Sequence, residues 1–149
     1  MIPPDLRHGH SGFAGDGEKV RYKNLIGIPQ YIVGNGSQNT SGDQVINTIY
    51  RPVLIWIEAF FDDSDGGWSQ GQAKDISSNQ SLYRYLFGGN WVNGQSADKI
   101  IKVHNSGDTK SYEAAVSAID EKSFTLTWTS SGAPTEDVRF NYFVITLPL

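Results

Sequence analysis

Apolar and polar residues alternate with a period of two along several stretches of this chain. In SFTLTWTS, residues 123–130, the side chains of Phe124, Leu126 and Trp128 share one face and threonines share the other. No window of about 11 residues has apolar positions at the helical spacing i, i+3, i+4 and i+7. The pattern therefore predicts a chain built from half-buried strands, with almost no helix.

Two other stretches are apolar on both faces and predict more deeply placed strands. PVLIWIEAFF, residues 52–61, is interrupted only by Glu58, which is typical of a central strand. We expect Trp56 of this strand to belong to the core, as does Trp128. VRFNYFVITL, residues 138–147, alternates at first and then becomes apolar on both faces, so we expect its end to lie between two packed layers.

Shorter patterns predict further strands, and turn signals separate them. SYEAAVSAI, residues 111–119, has alanines that also suit a helix, but Tyr112, Ala114, Val116 and Ala118 alternate with other residues and a turn at 120–123 follows. The other predicted strands are 43–50, 81–89 and 99–104, and the predicted turns include Gly34-Asn35-Gly36, Gly88-Gly89-Asn90 and 105–108. Many short strands with turns about every 8–12 residues are typical of a sandwich or jelly roll.

The first part of the chain has a different character from the rest. Few bulky apolar residues occur before Val20, and glycines are too dense there for a packed element. We therefore predict an extended His/Gly-rich segment over residues 1–30. An antiparallel β-sandwich, jelly-roll-like, follows over residues 31–149.

Composition and charge exclude several classes of function. The 149 residues suffice for one domain, and the net charge of −4 with scattered Lys and Arg gives no footprint for nucleic acid. No apolar run reaches the roughly 20 residues that span a bilayer, and residues 1–5 lack the features of a signal peptide. We expect a protein made in the cytoplasm that neither binds nucleic acid nor inserts into membranes. With no cysteine, it has no disulfide and no thiolate site.

The sequence has no Walker loop and no dinucleotide-binding fingerprint. Glu58 stands alone in an apolar strand, and we interpret it as a structural acid paired with a neighbouring strand or near an edge. The acidic stretch 62–67 is interpreted as a surface turn, with weak calcium binding by Asp62, Asp63 and Asp65 as the alternative. His104 is expected at the surface. We therefore predict that the protein is not an enzyme.

Aromatic residues outside the clearest strand patterns are the candidate ligand contacts. Trp68 follows two glycines and Trp91 follows Gly88-Gly89-Asn90, so both are expected in loops. Exposed Trp and Tyr beside Asn, Gln and Asp suit sugar recognition, and Tyr83 and Tyr85 complete the predicted set. Burial against another subunit explains the same residues equally well.

The succession of motifs from the polar turn at 34–43 to the last hairpin resembles the C-terminal β-sandwich domains of bacteriophage tail fibres and related tail proteins. An aromatic-Arg-Pro step, Tyr50-Arg51-Pro52, leads into an apolar strand, and the last hairpin carries aromatic residues on both arms, Phe124-Thr125-Leu126 and Phe140-Asn141-Tyr142-Phe143. The stretch HGHSGFAGDGEKVRYKNLIGIP is similar to segments that join modules in such fibres. The likeness covers about residues 34–147, and the turn at 120–123 departs from it by lacking a glycine.

The resemblance implies a homotrimer on the tail of a virion that binds the host cell surface, through a glycan or a protein receptor. Three weak sites on one trimer would gain strength from multivalency. Two alternatives stay open. One is a free-standing carbohydrate-binding module or lectin of the H-type class, and the other is a structural decoration protein of the virion.

A pair of histidines in the first segment is the candidate metal site. In an extended chain His8 and His10 point to the same face, about 6.5–7 Å apart. Tail-fibre tips that this design resembles bind metal through such pairs on the trimer axis. Three chains would then present six imidazoles to iron, nickel or zinc. The alternative is that both are ordinary surface histidines of a leader segment.

Overall fold

Ten strands form the regular structure in the part of the chain that the computed structural model describes, residues 29–61, 66–105 and 107–148. They are β1 (Gln30–Gln38), β2 (Gly42–Asn47), β3 (Arg51–Phe61), β4 (Trp68–Ala73), β5 (Gln80–Phe87), β6 (Asn90–Ser96), β7 (Ile101–His104), β8 (Ser111–Ile119), β9 (Ser123–Ser131) and β10 (Val138–Leu147). The all-β prediction is confirmed, including the assignment of 111–119 to a strand. Within these ranges no helix is long and apolar enough to cross a membrane.

The strands form two antiparallel sheets packed face to face, which confirms the predicted β-sandwich. A six-stranded sheet has the order β1-β10-β3-β4-β5-β6, and a four-stranded sheet has the order β2-β9-β8-β7. The first two strands of the chain pair with the last two, one pair in each sheet. β3 is a central strand, as its apolar pattern predicted.

The core lies between the two sheets and is made of the inward-facing residues of both. Trp128 is 2% exposed, as predicted, and its ring lies 5.5 Å from that of Phe140 in the opposite sheet. Phe61 and Tyr112 make a similar contact across the sandwich, with ring centroids 5.7 Å apart. Phe124 is a further fully buried ring, and the aliphatic residues of the inner layer include Ile55, Ile57, Ile100, Ile101, Val103, Val116, Leu126, Val138 and Val144.

The expectation that Gly34-Asn35-Gly36 forms a turn is wrong, because these residues lie inside β1. The two glycines face Tyr142 and Phe140 directly across the β1–β10 ladder. A Cβ atom at either glycine would overlap the aromatic ring of its partner. Both positions must therefore be glycine to leave room for two large rings on the neighbouring strand. A rule that considers only the local turn sequence does not detect this requirement.

The loops expected around Trp68 and Trp91 are also wrong, because these residues lie in β4 and β6. Both strands are rich in Gly, Ser, Gln and Asn, which are not residues with a high β propensity. Contacts with other strands explain why small residues stand at inward-facing positions of β4 and β6. Gly94 of β6 lies under the ring of Tyr83, and the inner positions of β4 lie under the edge of β7.

The contact of β7 with β4 and with the residue before β4 joins the two sheets at backbone groups of β7. The N–H of Gly67 donates to the carbonyl oxygen of His104 at 2.8 Å, and the N–H of Lys102 donates to Oγ of Ser69 at 3.0 Å. Further along β4, a Cβ atom at Gly71 would overlap the carbonyl oxygen of Ile100. Only residues with very small side chains allow the backbones to approach this closely.

A second link between the sheets is the buried side chain of Asn79, which is 3% exposed and directly precedes β5. Its Oδ1 accepts the N–H of Val116 at 2.7 Å, and its Nδ2 donates to the carbonyl oxygens of Ile76 and Val116 at 2.9 and 3.2 Å. The β8–β9 register shifts directly after Val116. The Asn79 amide therefore satisfies both backbone groups of a residue at an irregularity in β8.

An ion pair at the surface gives the fold a defined acid dependence. Nζ of Lys110 donates to both carboxylate oxygens of Glu136, at 3.0 and 3.1 Å. This contact, with the backbone N–H groups of Glu136 and Thr135, lowers the pKa of Glu136 from 4.5 to about 2. Because the folded-state pKa lies below the unfolded one, the stabilising contribution is complete above pH 4.5 and lost as pH falls towards 2.

We therefore expect Glu136→Gln to lower the urea midpoint of unfolding at neutral pH. Near pH 2, where Glu136 becomes protonated, the midpoints of wild type and variant are expected to be equal. The measurement is a set of urea titrations of wild type and variant across this pH range. Lys110→Met removes the partner cation and is expected to remove the part of this pH-dependent increment that Lys110 contributes, while the backbone N–H contacts of Glu136 remain. A difference between wild type and Glu136→Gln that stays constant with pH would contradict the assignment.

Candidate functional site

The outward-facing side of the six-stranded sheet, here called the outer face, carries many large side chains. Residues directly opposite one another on neighbouring strands share a face, and one such row runs Val33, Phe143, Trp56, Gln72 and Gln80. No described residue forms a further layer over this face. Its apolar members are Tyr31, Val33, Leu54, Trp56, Phe60, Trp68, Leu82, Leu86, Trp91, Phe143 and Ile145.

Two predictions about the core change once this face is identified. Trp56 was expected in the core, but it lies on the outer face and is partly exposed, so that expectation is wrong. Phe143 and Ile145 of β10 were expected between two layers. They also lie on the outer face, where Phe143 stacks on Tyr31 with ring centroids 5.8 Å apart. An apolar pattern on both faces of a strand therefore does not require that a second layer of the same chain covers both.

A groove of about 340 Å³ crosses the outer face from β3 to β6, within the range of about 300–1,000 Å³ that is usual for small-molecule sites. Four strands lie side by side here, so the groove spans about 14 Å at the usual interstrand spacing. Trp56 and Leu82 supply its apolar surface. Its complete lining is Trp56, Gln70, Gly71, Gln72, Gln80, Ser81, Leu82, Gln95 and Ser96.

Four glutamines are the distinctive chemistry of this groove, namely Gln70, Gln72, Gln80 and Gln95. Within the described residues none of their side-chain amides has a hydrogen-bond partner, so both ends of each amide are available to a ligand. The lining contains no ionisable side chain. The groove is therefore suited to an uncharged ligand with many hydroxyl groups and an apolar surface.

These glutamines were not among the predicted site residues. Gln70 and Gln72 are two residues apart, a spacing that places both on one face of a strand. The signal was present in WSQGQA, but it is informative only once this stretch is recognised as a strand. Gln80 and Gln95 join them through the register of β5 with β4 and β6.

The predicted residues Trp68 and Trp91 both lie on the outer face, beyond one end of the groove. Nε1 of Trp68 donates to Oε1 of Glu58 at 2.8 Å, so Glu58 has a structural partner on the neighbouring strand. The guanidinium of Arg84 lies 4.3 Å from the ring centroid of Trp91, which is 53% exposed. Arg84 stands directly opposite Trp68 in the β4–β5 ladder and connects the two tryptophans.

The predicted residues Tyr83 and Tyr85 lie on the opposite side of the same sheet, away from the tryptophans. Both rings pack on the imidazole of His104, with centroids 5.4 and 4.7 Å from it. Asp108 lies 2.6 Å from Nδ1 of His104 and accepts the hydroxyl of Tyr85 at 3.2 Å. Burial, with the Asp108 carboxylate next, raises the pKa of Tyr85. The four predicted aromatics thus form two separate pairs.

The expectation that His104 is a surface residue is wrong, because its side chain is only 13% exposed. Its Nε2 is buried and has no hydrogen-bond partner within the described part of the chain. The imidazole at the end of β7 fills the space next to Tyr83 and Tyr85 of β5. The cluster of Tyr83, Tyr85, His104 and Asp108 therefore has a packing role.

The predicted metal ligands His8 and His10 lie outside the described residues, as do Asp62, Asp63 and Asp65. Residues 29–61, 66–105 and 107–148 contain no group of three His, Cys, Asp or Glu side chains placed to hold a metal ion. The prediction of iron, nickel or zinc on a trimer axis stays a prediction.

Comparison of the chain with models of known protein families finds no match. Comparison with curated proteins finds none either. The outer face with its glutamine-lined groove is the candidate functional site of the protein.

Proposed function

We propose that this protein is a non-enzymatic domain of a phage or prophage tail fibre that binds a glycan of the host cell surface. It would act as a homotrimer on the virion. The observation that carries the proposal is the groove lined by Trp56 and four glutamines. Among the described residues, the amides of these glutamines have no partner and the lining has no ionisable group. The order of sequence motifs, which resembles tail-fibre domains, supports the choice of a virion over other settings.

The chemistry of the groove supports a sugar as the ligand. A primary amide both donates and accepts hydrogen bonds, as does a sugar hydroxyl, so Gln72 and Gln80 can pair with hydroxyls in either sense. Trp56 and Leu82 offer apolar surface to the C–H faces of a pyranose. The length of about 14 Å across four strands suits a short oligosaccharide. A strongly anionic polysaccharide fits less well because no cation lines the groove.

A shallow site of this kind gains strength from repetition. Several weak contacts on one rigid assembly raise the overall binding strength through effective concentration, without any stronger single contact. This is the reason for proposing a trimer as the functional form. A free-standing carbohydrate-binding module would use the same groove as a monomer, and a structural decoration protein would leave the groove without a sugar ligand.

We expect Trp56→Ala to weaken glycan binding about fivefold, since stacking on one aromatic ring contributes about 1 kcal/mol. The measurement is binding of the purified full chain to an array of bacterial surface polysaccharides and neutral oligosaccharides. Titration of the strongest binder then gives the affinity of each variant. Circular dichroism checks that the fold is kept, which is expected because Trp56 is outside the core.

Phe87→Ala is the matched control, because Phe87 is an exposed aromatic residue of β5 that does not line the groove. Its binding is expected to equal that of wild type. Trp91→Ala tests the predicted contact at the other end of the outer face. Loss of binding in Trp91→Ala together with full binding in Trp56→Ala would show that the ligand binds outside the groove. An array on which wild type binds nothing would refute the proposed function and favour a decoration protein.

A further inference from the structure

The two edges of the six-stranded sheet carry no charged residue. The edge strand β1 reads QYIVGNGSQ and the opposite edge strand β6 reads NWVNGQS. Neither contains a proline, and neither ladder that binds them to the sheet is interrupted by a register shift. Soluble proteins usually protect an edge strand with a charge, a proline or a bulge, since a bare edge can pair with another chain.

The four-stranded sheet of the same molecule has protected edges, which makes the contrast informative. The outer edge of β7 is occupied by β4 through the hydrogen bonds of Gly67 and Ser69. The other edge strand, β2, is shorter and carries Asp43, whose carboxylate accepts the hydroxyl of Thr127. Within the described residues, the unprotected edges are therefore both on the six-stranded sheet.

Large apolar side chains stand beside both of these edges and on the same face. On β1, Tyr31 is 72% exposed and Val33 is 67% exposed, and on β6, Trp91 is 53% exposed. All three belong to the outer face. In a sheet that continued from one copy into the next, they would become cross-strand neighbours and would be covered.

The directions of the strands decide how two copies can join. Because five successive antiparallel pairings lead from β1 to β6, these two edge strands run in opposite directions. When two copies stand in the same orientation, β6 of one is therefore antiparallel to β1 of the next. Head-to-tail contacts of this kind generate a closed ring if the rotation between copies closes.

We propose that copies of this chain assemble by pairing β6 of one copy with β1 of the next, which extends the six-stranded sheet across the subunit boundary. The inference deepens the homotrimer of the proposed function and rests on it. Binding of sugar by the groove of a single copy does not depend on it. The partner of each edge is a second copy of this chain. The β6 edge of one copy runs antiparallel to the β1 edge of the next, and the exposed apolar residues beside both edges lie on the same face of the sheet.

The test places a lysine on each edge in turn and measures the mass of the assembly by light scattering. Val33→Lys blocks the β1 edge, and Asn93→Lys blocks the β6 edge at an exposed position of the outer face. Each variant alone is expected to fall from three chains to one. Val45→Lys is the matched control. It makes the same change at a valine that is 59% exposed on β2, and it is expected to stay a trimer.

Mixing the two variants separates head-to-tail pairing from pairing of like edges. Val33→Lys keeps a normal β6 edge and Asn93→Lys keeps a normal β1 edge, so an equimolar mixture is expected to form a dimer of one chain of each. If β1 paired with β1 instead, Asn93→Lys alone would remain assembled and the mixture would gain nothing. That result would overturn the proposed pairing.

Two further outcomes distinguish this inference from the proposed function. A wild-type trimer that persists in both lysine variants, with circular dichroism unchanged, would overturn the edge pairing and leave the tail-fibre proposal standing. A wild-type monomer at micromolar concentration would overturn the trimer and the edge pairing together. Glycan binding on the array would then decide for a free-standing carbohydrate-binding module.

Discussion

Replacing Gly71 with alanine is expected to destabilise the protein by about 3 kcal/mol or more, at the upper end of what overpacking costs. The reason is that the added methyl group would overlap the carbonyl oxygen of Ile100, a backbone atom that no rotamer change can move aside. The edge of β7 would have to lift away from β4, and with it the hydrogen bonds of Gly67 and Ser69 to β7. Urea denaturation followed by tryptophan fluorescence gives the free energy of unfolding.

Gly88→Ala is the control for losing a glycine without such an overlap. Gly88 has a φ of 56° and no heavy atom within 4 Å of its would-be Cβ atom. An alanine there costs about 1 kcal/mol, because the left-handed conformation is unfavourable for a residue with a side chain. A Gly71→Ala variant no less stable than Gly88→Ala would mean that β7 does not lie against β4 as described.

Truncation of Asn79 to alanine is the second change with a large expected effect, a loss of about 3 kcal/mol. The N–H and C=O of Val116 would both lose their partner in the interior, and each unsatisfied buried group costs about 1–3 kcal/mol. Water is a poor substitute because the Asn79 side chain is 3% exposed. The free energy of unfolding from urea titration is again the measurement.

Asn141→Ala is the matched control for Asn79→Ala, since it removes the same amide from an exposed position of β10. Its expected effect is under about 0.5 kcal/mol, as is usual for surface positions. Equal stability of the two variants would show that the Asn79 amide does not hold the sheets together.

The strands that could be predicted from the sequence are those whose pattern reflects the core itself. In β9 the alternation of Phe124, Leu126 and Trp128 with threonines needs no knowledge of the rest of the molecule. β1, β4 and β6 were missed because a distant element determines their small residues. Gly34 makes room for Tyr142 and Gly71 for the backbone at Ile100. Such requirements cannot be detected until the partner residue is known, so Gly34 was interpreted as part of a turn.

The candidate site was predicted only in part for a related reason. Period-two spacing correctly groups Tyr83 with Tyr85 and Gln70 with Gln72, but the sequence does not say which faces of different strands coincide. The β4–β5 register places Trp68 opposite Arg84. Since Arg84 and Tyr83 are adjacent in β5, Trp68 and Tyr83 lie on opposite sides of the sheet. The local pattern therefore predicts which residues of one strand share a face. The register between strands is needed to know which of these residues lie on the same side of the sheet.

The docking of β7 on β4 also determines how the molecule can move. Two layers held by side chains alone can slide a little past each other, because many similar packings have nearly the same energy. Here backbone groups of β7 are held by the N–H of Gly67 and by Oγ of Ser69, so shear between the layers is opposed at specific atoms. We therefore expect the outer face to keep its curvature and the two sheets to unfold together.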